Sequence, residues 1–133
     1  MKENHFILFF AFLALAFVGC VDDPAGAKVT GTVTLDGQPL ANATVTFFPV
    51  DGSRMSVGAT DAQGKYKLRF SASTVGAVAG EHKVEIRTAP EEADSEVTEK
   101  IVEKVPAKYN AETELKQTLK NGSQVVNFDL KSE

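Results

Sequence analysis

Two hydrophobic patterns divide this chain. Phe6–Val18 is an unbroken apolar run, whereas from Val29 onward apolar and polar residues alternate with a period of two. Alternation puts successive side chains on opposite faces of an extended backbone, so each such stretch predicts a strand with one buried and one wet face. Val29, Gly31, Val33 and Leu35 alternate with Thr30, Thr32 and Thr34, and Asp36-Gly37 then predicts a tight turn. Ala43, Val45 and Phe47 alternate with Thr44 and Thr46 as far as Pro49, Asp51 and Gly52, which end the strand. Met55–Thr60 predicts a weaker strand with Val57 and Ala59 inward, followed by a turn at Asp61–Gly64. The cleanest division comes next, with Tyr66, Leu68 and Phe70 inward and Lys65, Lys67 and Arg69 outward. After a small-residue loop, Ser71–Gly80, the stretch Glu81–Thr88 turns Val84 and Ile86 inward and Lys83, Glu85 and Arg87 outward.

The remainder is less regular. Ala89–Lys104 is acidic and lacks clear alternation, which predicts a long loop holding at most a helical turn or a poor strand around Val97–Val105, ended by Pro106. Thr113–Lys120 and Ser123–Leu130 flank Asn121-Gly122, a dipeptide that favours positive φ at both centres of a two-residue turn. This predicts a closing hairpin with Val126, Phe128 and Leu130 inward. Short strands punctuated by turn signals about every 8–12 residues, with no convincing helix, define an all-β chain: an antiparallel, seven-stranded (six to eight) β-sandwich. Its core is expected to rest on Val33, Val45, Phe47, Tyr66, Leu68, Val84, Ile86, Val126 and Phe128.

The N-terminal run obeys another rule. Crossing a hydrocarbon core about 30 Å thick takes about 20 apolar residues, and Phe6–Val18 is shorter. A short polar start with Lys2, an apolar run, then Gly19-Cys20 and the polar Asp22-Asp23-Pro24 is the order of a secretory signal. Phe17-Val18-Gly19-Cys20 resembles a bacterial lipobox, with Phe17 where Leu is usual. That resemblance implies a diacylglyceryl group on the Cys20 sulfur and cleavage between Gly19 and Cys20. The single cysteine agrees, since a lone Cys in an exported chain has no disulfide partner within the chain. Two other readings stay open: cleavage after Ala16, at the small-x-small Ala14-Leu15-Ala16, leaving a soluble secreted protein, or an uncleaved anchor. The organisation expected is signal peptide 1–19, flexible tether 20–27 and one domain, 28–133.

Composition narrows the picture slightly. The net charge is −4 and no Lys/Arg block stands out, which argues against a nucleic-acid surface. There is no Trp for a sugar-stacking platform, and with no cysteine pair stability must come from the core.

Val29-Thr-Gly31-Thr-Val33, Asp36-Gly37, Pro39-Leu40-Ala41, Ala43-Thr-Val45, Thr60-Asp61, Gly64-Lys65-Tyr66, Leu68 and Gly80-Glu-His-Lys-Val84 form a set of turn and strand signatures. In these residues the chain resembles the carboxypeptidase regulatory-like, or transthyretin-like, domain family, with Ala79 where a Pro is usual. It is also similar to short bacterial lipoproteins built from one such domain, in which a Pro-Ala-Lys-Tyr-Asn segment like Pro106–Asn110 precedes a closing hairpin. The resemblance implies a transthyretin-like (Ig-like) sandwich. Members serve as stability modules, surface stalks, adhesin repeats and, in one branch, hydrolases, so fold alone assigns no activity. By resemblance to other lipoproteins, Val21 after the cysteine points to the outer membrane or cell surface.

Candidate chemistry is sparse. His5 lies in the signal, which leaves His82, at a position the family fills with an aromatic; packing is its expected role. A catalytic triad needs a nucleophile, a base and an orienting group that converge, and the chain ends Asp129–Glu133 without the Tyr-Arg-Gly-Ser-type tail of the hydrolase branch. Asp22-Asp23, Asp51 and Asp61 lack calcium-loop spacing and read as solvated turns. Glu91-Glu92, Asp94, Glu96 and Glu99 read as a solvated acidic loop. Some adhesin-repeat relatives carry a lysine–asparagine isopeptide bond; Lys28, Lys65 and Asn127 are the candidates here, with both lysines alternating outward. Phe48 breaks the alternation beside Phe47 and is expected under the Ser71–Gly80 loop rather than in an exposed patch.

The expectation is therefore a non-enzymatic envelope protein, exported and lipid-anchored through Cys20. It needs no cofactor, no metal and no nucleic acid, and its partners are the membrane and an envelope protein or glycan. The alternatives are a carrier for a small, peptide or glycan ligand in a cleft rimmed by Ser71–Gly80 and Ala89–Lys104, and, remotely, a transthyretin-like hydrolase.

Overall fold

In the computed structural model, which describes residues 23–90 and 101–133, the alternating segments become the strands of a two-layer β-sandwich. Among the described residues nine strands form: β1 (Ala27–Leu35), β2 (Gln38–Pro39), β3 (Thr44–Pro49), β4 (Ser56–Ala59), β5 (Lys65–Lys67), β6 (Gly80–Arg87), β7 (Lys116–Leu119), β8 (Gly122–Val125) and β9 (Phe128–Leu130). One sheet has the order β4-β3-β6-β7 and is antiparallel throughout. In the other, β1 is the hub, antiparallel to β2 and β5 and parallel to β8 and β9. Asp36 and Gly37 both have positive φ (51° and 81°), as a two-residue hairpin turn between β1 and β2 requires.

Every expected core residue is buried, joined by Val29, Leu40, Leu119 and Leu130. The Phe47 ring sits near the middle, edge-on to Phe128 at 6.1 Å across the layers and to His82 at 5.7 Å within its own sheet. Tyr66 buries its ring and donates its hydroxyl to the Val126 carbonyl (2.6 Å), while burial pushes its phenol pKa well up.

The closing hairpin does not form. β7 pairs with β6 and β8 pairs with β1, so Asn121-Gly122 carries the chain from one sheet to the other. Gly122 has φ 105° but Asn121 is not among the positive-φ residues, so the turn that Asn-Gly favours is absent, and Gly122 N–H donates instead to Gly26 O (2.9 Å). The sandwich is thus not wholly antiparallel.

β8 and β9 keep one register against β1 on both sides of a gap at Val126-Asn127. In the gap the Val126 carbonyl turns to Tyr66, and the Asn127 side-chain oxygen accepts the Thr32 N–H (2.8 Å) in place of a backbone acceptor. Gly31 lies directly beneath: a Cβ there would overlap the Val126 carbonyl oxygen and meet Tyr66 Cε1 at 2.8 Å.

β4 takes the opposite register from that expected. Ser56 and Gly58 face inward and are buried, Val57 is half-buried and Ala59 exposed. The β5 backbone crosses so close that a Cβ on Gly58 would come within 2.8 Å of the Lys67 carbonyl oxygen, leaving no room for a larger residue. Just past β5, Arg69 and Val57 exchange both backbone bonds (2.9 and 3.0 Å), stitching the two sheets together at this corner.

The expected tether is partly domain. Ala25 and Ala27 are fully buried, Asp23 accepts the Ala25 N–H (2.9 Å), and Ala27 exchanges backbone bonds with Ala77. Of the long acidic loop, the base is described: Glu103 accepts from Thr88 N–H (2.8 Å), Thr88 Oγ1 (2.9 Å), Ala89 N–H (3.1 Å) and Val105 N–H (2.9 Å). Burial works against its charge, but these donors outweigh it and hold the carboxyl below its usual pKa. Ala107–Tyr109 forms a single 3₁₀ turn, after which the buried Asn110 side chain donates to the carbonyls of Ile86, Val105 and Pro106 at 3.2–3.3 Å.

Candidate functional site

The outer face of the β1-centred sheet carries the features most open to a partner. Strand alternation sends Thr30 and Thr32 of β1, and Lys65 and Lys67 of β5, to this face, and Arg69 continues the β5 series. Two shallow open depressions lie here, of about 580 and 460 Å³, sharing Thr30, Lys67 and Val125. A third, of about 740 Å³, continues round the β4–β5 corner past Arg54, Met55, Arg69 and Phe70. Phe70, expected inward, is half-buried with the Arg54 guanidinium 5.5 Å from its ring centre. Among the described residues Arg54, Lys65, Lys67 and Arg69 are exposed and form no ion pair. The sequence had marked Lys65, Lys67 and Arg69 as outward; Arg54 was missed because it precedes β4 in an irregular stretch and only folding brings it to them.

His82 lies in the core. It projects inward from β6 in phase with Val84 and Ile86 and is 1% exposed. Nδ1 contacts the Gly80 carbonyl at 3.0 Å, which a neutral ring protonated at Nδ1 satisfies, and Nε2 has no partner. None of the surface depressions just described is lined by His82. Burial lowers its pKa from 6.5, against the opposing pull of Gly80 O and Asp51. The folded state therefore favours neutral His82, so its contribution to stability is present above about pH 6.5 and is lost as pH falls below that value. We expect the urea midpoint of the wild type to fall between pH 7.5 and 5.5, and His82→Phe to keep the fold while flattening that fall. Equal falls in both proteins would remove His82 as the cause.

The other candidates divide among separate structural tasks. Asp23, Asp51 and Asp61 sit in three different turns, each accepting backbone N–H groups: Ala25 (2.9 Å), Ser53 (2.8 Å), and Gln63 with Lys65 (both 2.9 Å). Among the described residues no three His, Cys, Asp or Glu side chains gather as a metal-ligand set. The isopeptide candidates do not meet: Lys28 Nζ bonds Asp23, Ala25 O and Val75 O, Lys65 is exposed, and Asn127 serves Thr32. Phe48 is half-buried on the outer face of its own sheet, opposite Lys83 of β6. Ser71–Gly80 and the described ends of Ala89–Lys104 flank opposite ends of the eight-residue β6, about 25 Å apart. Gly19, Cys20, Asp22 and the acidic run Glu91–Glu99 lie outside the described residues.

Compared with known proteins, the chain matches no family model, no curated protein and no solved structure.

Proposed function

We propose that this chain is an envelope lipoprotein: a β-sandwich of the carboxypeptidase regulatory-like kind, held at a membrane by acyl chains on Cys20 and serving as a non-catalytic interaction or structural module. The observation that carries this reading is the spacing between the lone cysteine and the domain. Only Gly19 stands between the apolar run and Cys20, and only Val21 and Asp22 separate Cys20 from Asp23, where the hydrogen bonding of the domain already begins. A body held that closely to its anchor is suited to work at the membrane surface. One acyl chain binds membranes marginally while two or three hold firmly, at about 0.8 kcal/mol per buried CH₂, so full processing of Cys20 fits a permanent attachment. Among the described candidates, His82 packs in the core and Asp23, Asp51, Asp61 and Asn127 accept backbone N–H groups, which favours the module over a hydrolase.

The test is the intact mass of the protein extracted from its native envelope. A chain starting at Cys20 with added acyl mass is expected, and Cys20→Ala should release the protein from the membrane fraction or leave it unprocessed. A bare chain starting at Phe17 would overturn the anchor.

A further inference from the structure

The chain is acidic overall, yet one face is not. Lys65, Lys67 and Arg69 project at every second position, a row about 13 Å long at strand spacing, and Arg54 extends it around the corner beside Arg69 and Phe70. Among the described residues no carboxylate pairs with the row: Asp61, which shares a depression with Lys65 and Lys67, bonds the Gln63 and Lys65 N–H groups, Asp23 pairs with Lys28 at 3.0 Å, and Asp129 pairs with Lys131 at 3.6 Å. Around the row lie Thr30, Thr32 and Val125, the last 69% exposed. Solvent-exposed like charges along one strand concentrate positive potential there and attract an external anion.

The position of the row says which anion. Lys28 and its partner Asp23 border the same face, and three Cα steps from Cys20 to Asp23 reach at most about 11 Å. That is close to the screening length of about 10 Å at 0.1 M salt, within which an anionic leaflet attracts Lys and Arg. We propose that Arg54, Lys65, Lys67 and Arg69 lay this face flat on the anionic lipid headgroups of the membrane that holds the anchor, a proposal that rests on the lipoprotein reading above. The depressions here are open and shallow, which suits a laterally spread headgroup layer better than an enclosed ligand. The tether makes the contact intramolecular in effect, so weak individual attractions suffice.

The test uses the mature protein purified from its envelope and mixed with vesicles of phosphatidylcholine alone or of phosphatidylcholine and phosphatidylglycerol in equal parts. A water-soluble amine reagent with mass-spectrometric readout reports each lysine. Lys65 and Lys67 are expected to react several-fold more slowly on the anionic vesicles, Lys116 of β7 equally on both, and high salt should erase the difference. Equal reaction of Lys65 and Lys67 on both vesicles, with the protein floating on both, overturns the face and leaves the anchor standing. Failure to float on phosphatidylcholine with flotation on the anionic mixture overturns the anchor and upholds the face; failure on both overturns both. Protection by dextran sulfate but not by anionic vesicles would assign the row to a soluble polyanion and overturn the proposal. Arg69→Gln combined with Lys67→Gln, both exposed changes, should abolish the salt-sensitive protection of Lys65 without moving the urea midpoint.

Discussion

Gly31→Ala is expected to destabilise the domain by about 3–5 kcal/mol, enough to leave much of a small domain unfolded. The added methyl overlaps the Val126 carbonyl oxygen and stands 2.7 Å from its carbon and 2.8 Å from Tyr66 Cε1. Neither neighbour yields cheaply. The Val126 carbonyl is held by the Tyr66 hydroxyl at 2.6 Å, and the next residue is pinned by the bond from Thr32 N–H to Asn127 at 2.8 Å. Overpacking alone costs about 1–3 kcal/mol, and stripping a buried hydroxyl of its partner adds about 1–3 kcal/mol. Chemical denaturation of the variant checks this. A loss under about 1 kcal/mol would mean that the β8–β9 connection slides away from β1 at little cost.

Leu68→Ala should cost about 2–5 kcal/mol, the range for a buried Leu truncated to leave a cavity. Leu68 is fully buried, and its backbone is bonded on both sides, N–H to Val29 O at 3.0 Å and O from Gly76 N–H at 2.8 Å. The surrounding chain is therefore poorly placed to collapse into the vacated space, which puts the expected loss in the upper half of the range. Conversion of Lys67, its exposed neighbour, to Ala should change stability by less than about 0.5 kcal/mol. Equal losses at the two positions would contradict the inward register of Leu68.

Where the sequence was readable, the reason is charge. Lys65, Lys67 and Arg69 cannot face a core, so Tyr66 and Leu68 must, and the same logic places Val84 and Ile86 opposite Lys83 and Glu85. β4 carries no such marker. Its apolar residues, Val57 and Ala59, were the natural inward choice, but the crossing of β5 leaves space only for Gly58 and Ser56 on that side. That crossing is a relation between segments, invisible to periodicity.

Asn121-Gly122 is the complementary failure. The local turn signal is real, but Leu119 is needed in one layer and β8 beside β1 in the other, and tertiary pairing overrides a two-residue preference. The function of Asn127 was equally hidden. A side-chain amide that stands in for a backbone acceptor looks, in sequence, like any polar residue on a strand. Of the candidate face, the cationic row was legible and its freedom from ion pairs among the described residues was not, because that depends on where folding places the carboxylates.

The Glu103 carboxylate has a consequence for how this chain tolerates change. By holding Thr88 and Ala89 against Val105, it closes the neck around positions 91–100 independently of which residues stand there. Once a neck is fixed from outside, each doubling of the enclosed length costs only about 0.6 kcal/mol. Foreign sequence spliced between Pro90 and Ile101, such as an epitope or a second recognition element, would thus be displayed from the sandwich at the end of β6 away from Gly80, with little penalty to the core that carries it.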